Sequence, residues 1–363
     1  MFARRWQREK YPMTYIQKPK INLPGMAKNA IGLTLRDYEG GLSTLCAGCG
    51  HDSITAAIVQ AFFELAIPPE DVIKLSGIGC SSKTPAYFVH GAHGFNSVHG
   101  RMPSVATGAM AGNRDLVCIA VSGDGDSLSI GFGQFGHVVR RNLNMLYIIE
   151  NNGVYGLTKG QFSASADPGS RAKKGEVNVM QSIDPVSTAI ALGGSFVARG
   201  FSGDRDQLVP LIKAGIRHEG CAVLDVISPC VTFNDHEGST KSYAYTRENY
   251  HPAVYTDFVP PAEQIETEYA EGDAVSVKLH DGSSIRLRKA DESYDPSERS
   301  TVVHYLEEQR AKGEVVTGLL YIDEDLPEMH AISNTEAMPL AKREYKDLSP
   351  GAEALVKLQK GMR

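Results

Sequence analysis

The sequence predicts an α/β fold built on a mostly parallel, doubly wound sheet. Between residues 45 and 230, strand-like and helix-like patterns alternate, as parallel β–α–β units require. Two strand segments, 116–122 and 145–150, are nearly continuous apolar runs, typical of strands that helices cover on both faces. Polar, glycine-rich segments follow several of these strands, at the carboxyl ends where open α/β sheets bind ligands.

The elements are predicted in order from apolar spacing and from glycine or proline at segment ends. Helices are predicted at 52–65, 103–113, 127–142 and 204–220. Strands are predicted where short apolar runs lie between turn residues, at 71–76, 116–122, 145–150 and 221–228. Because helices separate the strands, neighbouring strands are expected to run parallel.

The composition changes after residue 250. Proline interrupts 251–269, which predicts a linker or arm, whereas 274–289 alternates around Asp281-Gly282 and predicts a hairpin. The last predicted elements are a helix at about 297–311 and a strand at about 315–322. We therefore predict three parts: an N-terminal arm (1–40), a central α/β domain (41–250) and a peripheral C-terminal extension (251–363).

The composition disfavours several classes of protein. The 363 residues are 42% hydrophobic and 22% charged, which supports a sizeable core. The net charge of −6 argues against a nucleic-acid binder, which normally has a basic domain or stripe. No signal-type apolar run follows the basic N-terminus, and no stretch approaches roughly 18 uninterrupted apolar residues. We expect a cytoplasmic protein that binds neither nucleic acid nor a membrane.

Four polar segments lie at predicted strand ends. GIGCSS follows the strand at 71–76, GDGDS follows 116–122, NNGVYGLTKGQ follows 145–150 and PCVTFND follows 221–228. Because the carboxyl ends of parallel strands meet at one edge of a sheet, the four segments predict one composite site.

The segment SGDGDS leaves a buried strand and opens a helix. Its glycines allow the backbone to approach a phosphate, and the helix start offers N–H groups. Asp124 disfavours a bare phosphate, so a cation such as Mg²⁺ is expected between them, with Asn151 or Asn152 as a second oxygen ligand. A calcium loop of the EF-hand type is disfavoured, because Leu128 and Ser129 stand where an oxygen ligand and a glycine belong.

The GDG triplet and the Asn-Asn pair, with 25 residues between them, resemble the signature of thiamine diphosphate enzymes. The resemblance implies that Mg²⁺ is bound by Asp124, Asn152 and the carbonyl oxygen of Val154. Two diphosphate oxygens and a water would complete the coordination shell. The alternative is a GDG turn that has no relation to the Asn pair.

The segment CAGCGH contains Cys46 and Cys49, whose spacing suits zinc, an iron–sulfur cluster, a redox disulfide or no ligand at all. If thiamine diphosphate is present, the strand-end residues Cys80 and Cys230 become candidate third and fourth ligands. Four thiolates suit structural zinc or a [4Fe–4S] cluster. Zinc ribbons usually have two CxxC pairs and this chain has one, which favours a cluster assembled by the fold.

The ordered set CAGCGH, GIGCSS, HGR, GDGD, NNGVYGLTKGQ and SPCVTFN resembles the β subunits of 2-oxoacid:ferredoxin oxidoreductases, over about residues 40–235. The resemblance implies the thiamine-diphosphate-binding fold and one [4Fe–4S] cluster. It also implies an α subunit that carries the pyrimidine-binding domain, and ferredoxin as the electron acceptor. The implied reaction is the reversible, coenzyme A-dependent oxidative decarboxylation of a 2-oxoacid. We expect 2-oxoglutarate, with pyruvate or a branched-chain 2-oxoacid as the alternative.

Strand-end position and resemblance together assign the site residues. Those expected to bind the cofactor are Ile78, Gly79, Cys80, Ser81, His99, Gly125, Asp126, Gly156 and Leu157. Those expected to ligate metal are Cys46, Cys49, Cys80, Cys230, Asp124, Asn152 and Val154. Asp126 has the alternative of a simple helix cap.

Lys83, His99 and Leu157 are the residues expected to act in catalysis. Lys83 can pair with a distal substrate carboxylate, which would favour 2-oxoglutarate, or it can balance cluster or phosphate charge. Lys159 is a second candidate cation. His99 hydrogen-bonds the diphosphate, shuttles a proton or is structural, and Arg101 has a similar status.

Two further functions are weighed against this interpretation. A non-redox thiamine carboligase leaves the four cysteines unexplained. A zinc-stabilised, non-catalytic binding protein would use the sheet only for interaction. Metal content separates this zinc protein from the oxidoreductase, because a cluster gives about four irons with sulfide per chain and zinc gives one ion.

Overall fold

The computed structural model describes residues 25–172, 175–259, 274–278, 284–289 and 294–362. Its strands are β1 (Val72–Ser76), β2 (His93–Asn96), β3 (Val117–Gly123), β4 (Met145–Asn151), β5 (Val154–Tyr155), β6 (Gln161–Phe162), β7 (Phe196–Phe201), β8 (Cys221–Ile227), β9 (Tyr250–Pro252), β10 (Val254–Val259), β11 (Ala274–Lys278), β12 (Ser284–Lys289) and β13 (Val315–Ile322). Its α-helices are α1 (Gly50–Glu64), α2 (Met102–Gly112), α3 (Phe132–Arg140), α4 (Pro185–Ala191), α5 (Arg205–Arg217), α6 (Tyr243–Glu248), α7 (Arg299–Ala311), α8 (Met329–Ile332), α9 (Tyr345–Leu348) and α10 (Gly351–Gly361).

The main sheet has eight strands in the order β2-β1-β3-β4-β8-β7-β13-β9. The strands from β2 to β7 in this order pair parallel throughout, and β13 is antiparallel to β7. The prediction of a mostly parallel sheet is therefore confirmed. None of the helices in the described ranges has both the length and the apolar character needed to cross a bilayer.

Helices cover both faces of the sheet. A Cβ placed on Gly215 of α5 would lie 2.8 Å from Leu146 Cδ1 of β4, so α5 packs closely against that face. The next residue of β4, Tyr147, packs edge-on against Phe135 of α3, with ring centroids 5.6 Å apart. Because successive side chains of a strand point to opposite faces, α5 and α3 lie on opposite sides of the sheet. Every residue of β4 is buried, which explains its continuous apolar sequence.

The single helix predicted at 127–142 is wrong, because this segment forms two helical pieces. A π-helical turn covers Gly125–Ile130, and α3 follows it. They are separated at Gly131, whose N–H donates to the carbonyl oxygen of Asp126 at 2.8 Å. A Cβ on Gly131 would lie 2.7 Å from that oxygen and 2.8 Å from Gly100 Cα. The close approach of two backbones therefore requires glycine here and interrupts the helix.

Two strands from beyond residue 250 join the main sheet. β13 pairs antiparallel with β7, and β9 pairs parallel with β13 at the edge of the sheet. The linker predicted at 251–269 is wrong in its described part, which lies in β9 and β10. Pro252 misled the prediction, since an edge strand tolerates proline.

The hairpin predicted at 274–289 has its two strands, because β11 and β12 pair antiparallel. Its expected turn at Asp281-Gly282 lies outside the described residues. In the N-terminal arm, Tyr38 is buried and its hydroxyl donates to the carbonyl oxygen of Ile67 at 2.9 Å. The domain boundaries at residues 40 and 250 stay predictions.

Candidate functional site

The four predicted segments follow strands that are consecutive neighbours in the sheet. GIGCSS follows β1, GDGDS begins at the end of β3, NNGVYGLTKGQ begins in β4, and PCVTFND follows β8. The sheet order β1-β3-β4-β8 brings their carboxyl ends to one rim. Their convergence is therefore a direct result of the parallel topology.

A cavity of about 190 Å³ lies at this rim. Its lining includes these residues from the predicted set: Ile78, Gly79, Cys80, Ser81, His99, Asp124, Gly125, Asp126, Asn152, Val154, Gly156 and Leu157. The lining also includes residues that the sequence did not single out: Gly123, Ile130, Glu150, Tyr155 and Thr158. Lys83, Cys46, Cys49 and Cys230 are not in this lining.

Three residues with oxygen donors that suit a hard cation line the cavity: Asp124, Asn152 and Val154. The Asp124 side chain is 1% exposed, and its Oδ1 accepts a long hydrogen bond of 3.3 Å from Asn152 N. The backbone of Asn152 is held from the other side, since Asn234 Nδ2 donates to its carbonyl oxygen at 2.8 Å. Mg²⁺ prefers such oxygen donors, so the residues present fit the implied ion.

The walls of the cavity leave room for a phosphate group. A Cβ on Gly125 would lie 2.5 Å from Tyr155 Cε1, so no larger residue fits beside that ring. Gly79 has a φ of +130°, in the region that favours glycine. The Ser81 hydroxyl is buried and has no hydrogen-bond partner among the described residues. A buried hydroxyl that faces a cavity can donate to a bound phosphate, so the cradle fits a diphosphate.

The Asp126 carboxylate connects two segments of the chain at the same rim. It is 3% exposed, its Oδ1 accepts from Gly100 N at 2.8 Å, and its Oδ2 accepts from Ser122 Oγ at 2.9 Å. Asp126 therefore ties the loop that contains His99 to the end of β3. His99 itself is exposed and lines the cavity.

The four predicted cysteine ligands gather beside the cavity. A Cβ on Gly156 would lie 3.4 Å from Cys80 Sγ and 3.7 Å from Cys230 Sγ. Cys49 N donates to the carbonyl oxygen of Cys46 at 3.0 Å. The pKa of the Cys49 thiol is raised to about 12, chiefly by burial and further by Glu150, Cys230 and Cys80. Cys46 likewise acts on the thiols of Cys80 and Cys230, so the four sulfurs share one electrostatic neighbourhood.

All six cysteines are free, so the CxxC pair forms no disulfide. Within the described ranges, no three His, Cys, Asp or Glu side chains are grouped closely enough to hold one metal ion.

Glu150 is the main residue of the site that the sequence analysis missed. It is fully buried, and neither carboxylate oxygen has a hydrogen-bond partner in the described part of the chain. Burial, and to a lesser degree the charge of Asp52, raises its pKa well above the usual range. His51 Nδ1 lies 3.6 Å from Glu150 Oε2 and 2.6 Å from Ser228 Oγ, and burial lowers the His51 pKa to about 4. The available signal was a charged residue at the end of the apolar strand MLYIIE.

Of the remaining candidates, only Leu157 lines the cavity. Lys83 is half-buried in a 3₁₀ turn at Ser81–Ala86, where its charge opposes the rise in the pKa of the Cys80 thiol that burial causes. Leu157 lines the cavity and is 55% exposed. Lys159 and Arg101 are exposed and do not line it. The catalytic roles of these residues stay predictions.

A family profile agrees with this geometry. The profile described as the thiamine pyrophosphate enzyme, C-terminal TPP-binding domain, matches residues 77–226. That range contains the loops after β1, β3 and β4, which form most of the cavity. The fold and the site thus define a thiamine-diphosphate-binding domain on a mostly parallel α/β sheet.

Individual relatives narrow the class. The chain is 44% identical over 191 residues to the 2-oxoacid:ferredoxin oxidoreductase subunit beta of Sulfolobus sp, across 52% of this chain and 63% of that protein. It is 38% identical over 189 residues to the 2-oxoglutarate synthase subunit KorB of Methanocaldococcus jannaschii, across 52% and 69%. The chain therefore belongs to the β subunits of the 2-oxoacid:ferredoxin oxidoreductase family. It spans slightly less than two thirds of the Sulfolobus protein.

A solved structure is similar over nearly its whole length. It is described as 2-oxoglutarate:ferredoxin oxidoreductase from Magnetococcus marinus with 2-oxoglutarate, coenzyme A and succinyl-CoA bound. The TM-score is 0.67 at 27% identity, and the match covers 89% of this chain and 97% of that chain. The similarity thus includes the central sheet and much of the chain beyond it.

Proposed function

We propose that this chain is the β subunit of a 2-oxoglutarate:ferredoxin oxidoreductase. The complex would convert 2-oxoglutarate and coenzyme A reversibly to succinyl-CoA and CO₂ and pass electrons to ferredoxin. One observation carries the proposal: Cys80 lines the cavity and also approaches Gly156 beside Cys230. A cofactor in the cavity and a cluster on the cysteines would therefore both lie next to Cys80. The transfer of electrons from the cofactor to the cluster requires such proximity.

The chain's own residues would hold thiamine diphosphate through Mg²⁺. Asp124, Asn152 and the carbonyl oxygen of Val154 would bind the ion. Ser81 would donate its hydroxyl, which has no partner in the part of the chain that the structure describes, to the diphosphate. Gly79 and Gly125 keep that wall free of side chains. When bound, the cofactor supplies the nucleophile and the electron sink for decarboxylation of a 2-oxoacid.

Cys46, Cys49, Cys80 and Cys230 would hold the [4Fe–4S] cluster as thiolates. The cluster supplies a one-electron acceptor, which a decarboxylase that only protonates its product does not need. The thiols resist ionisation in the protein alone, because burial raises the pKa of Cys49, Cys80 and Cys230. Binding of iron would have to offset that cost, as is usual for thiolate ligands.

The choice of 2-oxoglutarate rests on Lys83 and on the relatives. Lys83 follows the cofactor loop, where its ammonium group can meet a second carboxylate of the substrate. The Methanocaldococcus relative is named for 2-oxoglutarate, and the Magnetococcus structure is described with 2-oxoglutarate and coenzyme A. The Sulfolobus relative is named only for 2-oxoacids, so pyruvate or a branched-chain 2-oxoacid is the alternative substrate.

We further propose that an α subunit with the pyrimidine-binding domain completes the site. Family resemblance implies that this partner supplies the carboxylate that activates the cofactor. The exposed apolar side chains at the mouth, Leu157 and Ile130, suit a surface that a partner covers. The chain purified without its partner is expected to bind cofactor incompletely and to be nearly inactive.

Anaerobic purification of the chain with its bound partner tests the proposal. We expect about four irons with sulfide per chain, bound thiamine diphosphate, and coenzyme A-dependent ferredoxin reduction that is fastest with 2-oxoglutarate in a panel of 2-oxoacids. A zinc-containing, iron-free complex without thiamine would support the non-catalytic binding protein instead. Full activity of the chain alone would contradict the assigned α subunit.

A further inference from the structure

Two serine hydroxyls hold one oxygen of the proposed magnesium ligand. Ser163 Oγ donates to Asp124 Oδ2, and Ser165 Oγ lies 2.5 Å from the same oxygen. The hydroxyls of Ser163 and Ser165 are 3.2 Å apart, and all three residues are buried. The second oxygen, Oδ1, has only the long hydrogen bond from Asn152 N within the described ranges. The carboxylate is therefore held chiefly through Oδ2, which leaves Oδ1 the less engaged oxygen of a residue that lines the cavity.

The serine pair is itself anchored by a buried polar chain. Ser165 Oγ lies 2.9 Å from Asn151 Oδ1, and Asn151 Nδ2 donates to Asp225 Oδ1 at 2.9 Å. Arg199 Nε donates to Asp225 Oδ2 at 2.8 Å and its guanidinium also pairs with Asp184. Asn151 has its amide orientation fixed by Asp225, so its oxygen must face Ser165.

We infer that Ser163 and Ser165 are positioning residues that fix the Asp124 carboxylate for the cation of the diphosphate. The inference rests on the proposed function, since it assigns the cation site of that same cavity. Neither serine lines the cavity, so both act through Asp124. Residues that hydrogen-bond to a metal ligand fix its orientation, and their removal typically weakens metal affinity 10- to 100-fold.

Either serine can replace the other as a donor to Asp124, because each has one hydroxyl proton and a choice of acceptors. Ser165 has one hydroxyl proton and two acceptors, Asp124 and Asn151, so it serves one of them at a time. Ser163 can donate to Asp124 directly or to Ser165 Oγ. One proton remains available to Asp124 when either serine is lost. The double variant should therefore lose more binding than the two single variants add up to.

The test measures binding of Mg²⁺ and thiamine diphosphate to the complex of this chain with its co-purified partner. The variants are Ser163→Ala, Ser165→Ala and the double variant S163A/S165A. Ser127→Ala is the matched control, because Ser127 is equally buried, shares its hydroxyl with Tyr147 and makes no hydrogen bond with Asp124. Calorimetric titration gives the Mg²⁺ affinity at saturating thiamine diphosphate, and thermal unfolding without ligands reports any general damage.

We expect the double variant to need about 10- to 100-fold more Mg²⁺, and Ser127→Ala to stay within about twofold of the parent. Added Mg²⁺ should restore kcat and leave the KM for the 2-oxoacid unchanged, which a general loss of structure would not do. Parent-like Mg²⁺ affinity in the double variant would overturn the inference alone. If the parent complex itself does not bind thiamine diphosphate in the presence of Mg²⁺, the proposed function is overturned instead.

Discussion

The sulfurs of Cys80 and Cys230 approach the same glycine, although the two residues follow different strands. A Cβ on Gly156 would lie 3.4 Å from the first sulfur and 3.7 Å from the second. Cys80 follows β1 and Cys230 follows β8, so the order β1-β3-β4-β8 is what brings them together. The order of the strands thereby brings together two thiols that are far apart in the sequence.

Substitution of either cysteine should remove the cluster. Cys80→Ser and Cys230→Ser are each expected to reduce iron from about four per chain to a small fraction of that, because a lost thiolate opens the Cys₄ ligand set. Iron and sulfide analysis with visible absorption measures the loss. Cys118→Ala, in the buried strand β3, is the control and should keep its iron. Parent-level iron in Cys230→Ser would contradict the assigned ligand set.

A methyl group at Gly125 should weaken cofactor binding. Its Cβ would lie 2.5 Å from Tyr155 Cε1, and the Tyr155 hydroxyl donates to the Gly125 carbonyl oxygen at 3.0 Å, so ring and loop must both move. An overpacking cost of about 1–3 kcal/mol, if it falls on the bound state, corresponds to roughly 5- to 150-fold weaker affinity for thiamine diphosphate. Gly133→Ala in α3 meets nothing within 4 Å and should leave binding unchanged. Equal affinities in a titration of the two variants would refute the steric role of Gly125.

Lys83→Met should change the choice of substrate. A lost charge-assisted contact of about 1.5–3 kcal/mol would lower kcat/KM for 2-oxoglutarate by roughly 10- to 100-fold. Pyruvate has no distal carboxylate, so its kcat/KM should fall much less. Lys159→Met is the matched comparison, because it removes the second candidate cation. The distal-carboxylate role fails if steady-state assays of Lys83→Met show the same loss with both substrates.

Lys74 should make stability rise with pH. Burial lowers the pKa of Lys74 from 10.5 to about 8, although its ammonium donates to the carbonyl oxygens of Phe88 and Val89 at 2.8 and 2.9 Å. Between pH 8 and 10.5 the Lys74 side chain is protonated in the unfolded chain and deprotonated in the folded chain. The free energy of unfolding of the protein therefore increases as the pH rises through this range. Relative to Lys74→Met, the parent should gain about 1–3 kcal/mol between pH 7.5 and 10.

Denaturant titrations of both proteins at several pH values check this prediction. The two hydrogen bonds lost in Lys74→Met add an offset that is nearly constant with pH, and other titrating groups cancel in the difference. A difference that stays flat across the range would mean that Lys74 keeps its ordinary pKa in the folded protein.

Local pattern was enough for the four adjacent strands β1, β3, β4 and β8 and for the position of the cavity, whereas β2 and β7 were not predicted. The buried strand at 145–150 and its neighbour at 116–122 were visible because continuous apolar runs reflect cover on both faces. The helix at 127–142 was misjudged, because its interruption at Gly131 depends on contact with the distant Gly100. The spacing of residues along one helix contains no information about a contact between two distant segments.

Other buried residues of the site could not be predicted from the sequence. Glu150 looked like the polar end of a strand, yet its surroundings bury it completely. Ser163 and Ser165 lie in an unremarkable polar stretch, and only the fold brings their hydroxyls to Asp124. Such residues carry no signature of their own, because their role depends on another side chain's position.

The placement of β13 has a consequence for biosynthesis. Because β13 pairs with β7 and carries β9 on its outer side, the sheet cannot be completed until residue 322 has emerged from the ribosome. The stretch from the end of β8 to the end of β13 takes roughly five to twenty seconds to translate. During that interval the nascent chain presents β7 as an open edge, a template for mispairing that a chaperone would need to shield.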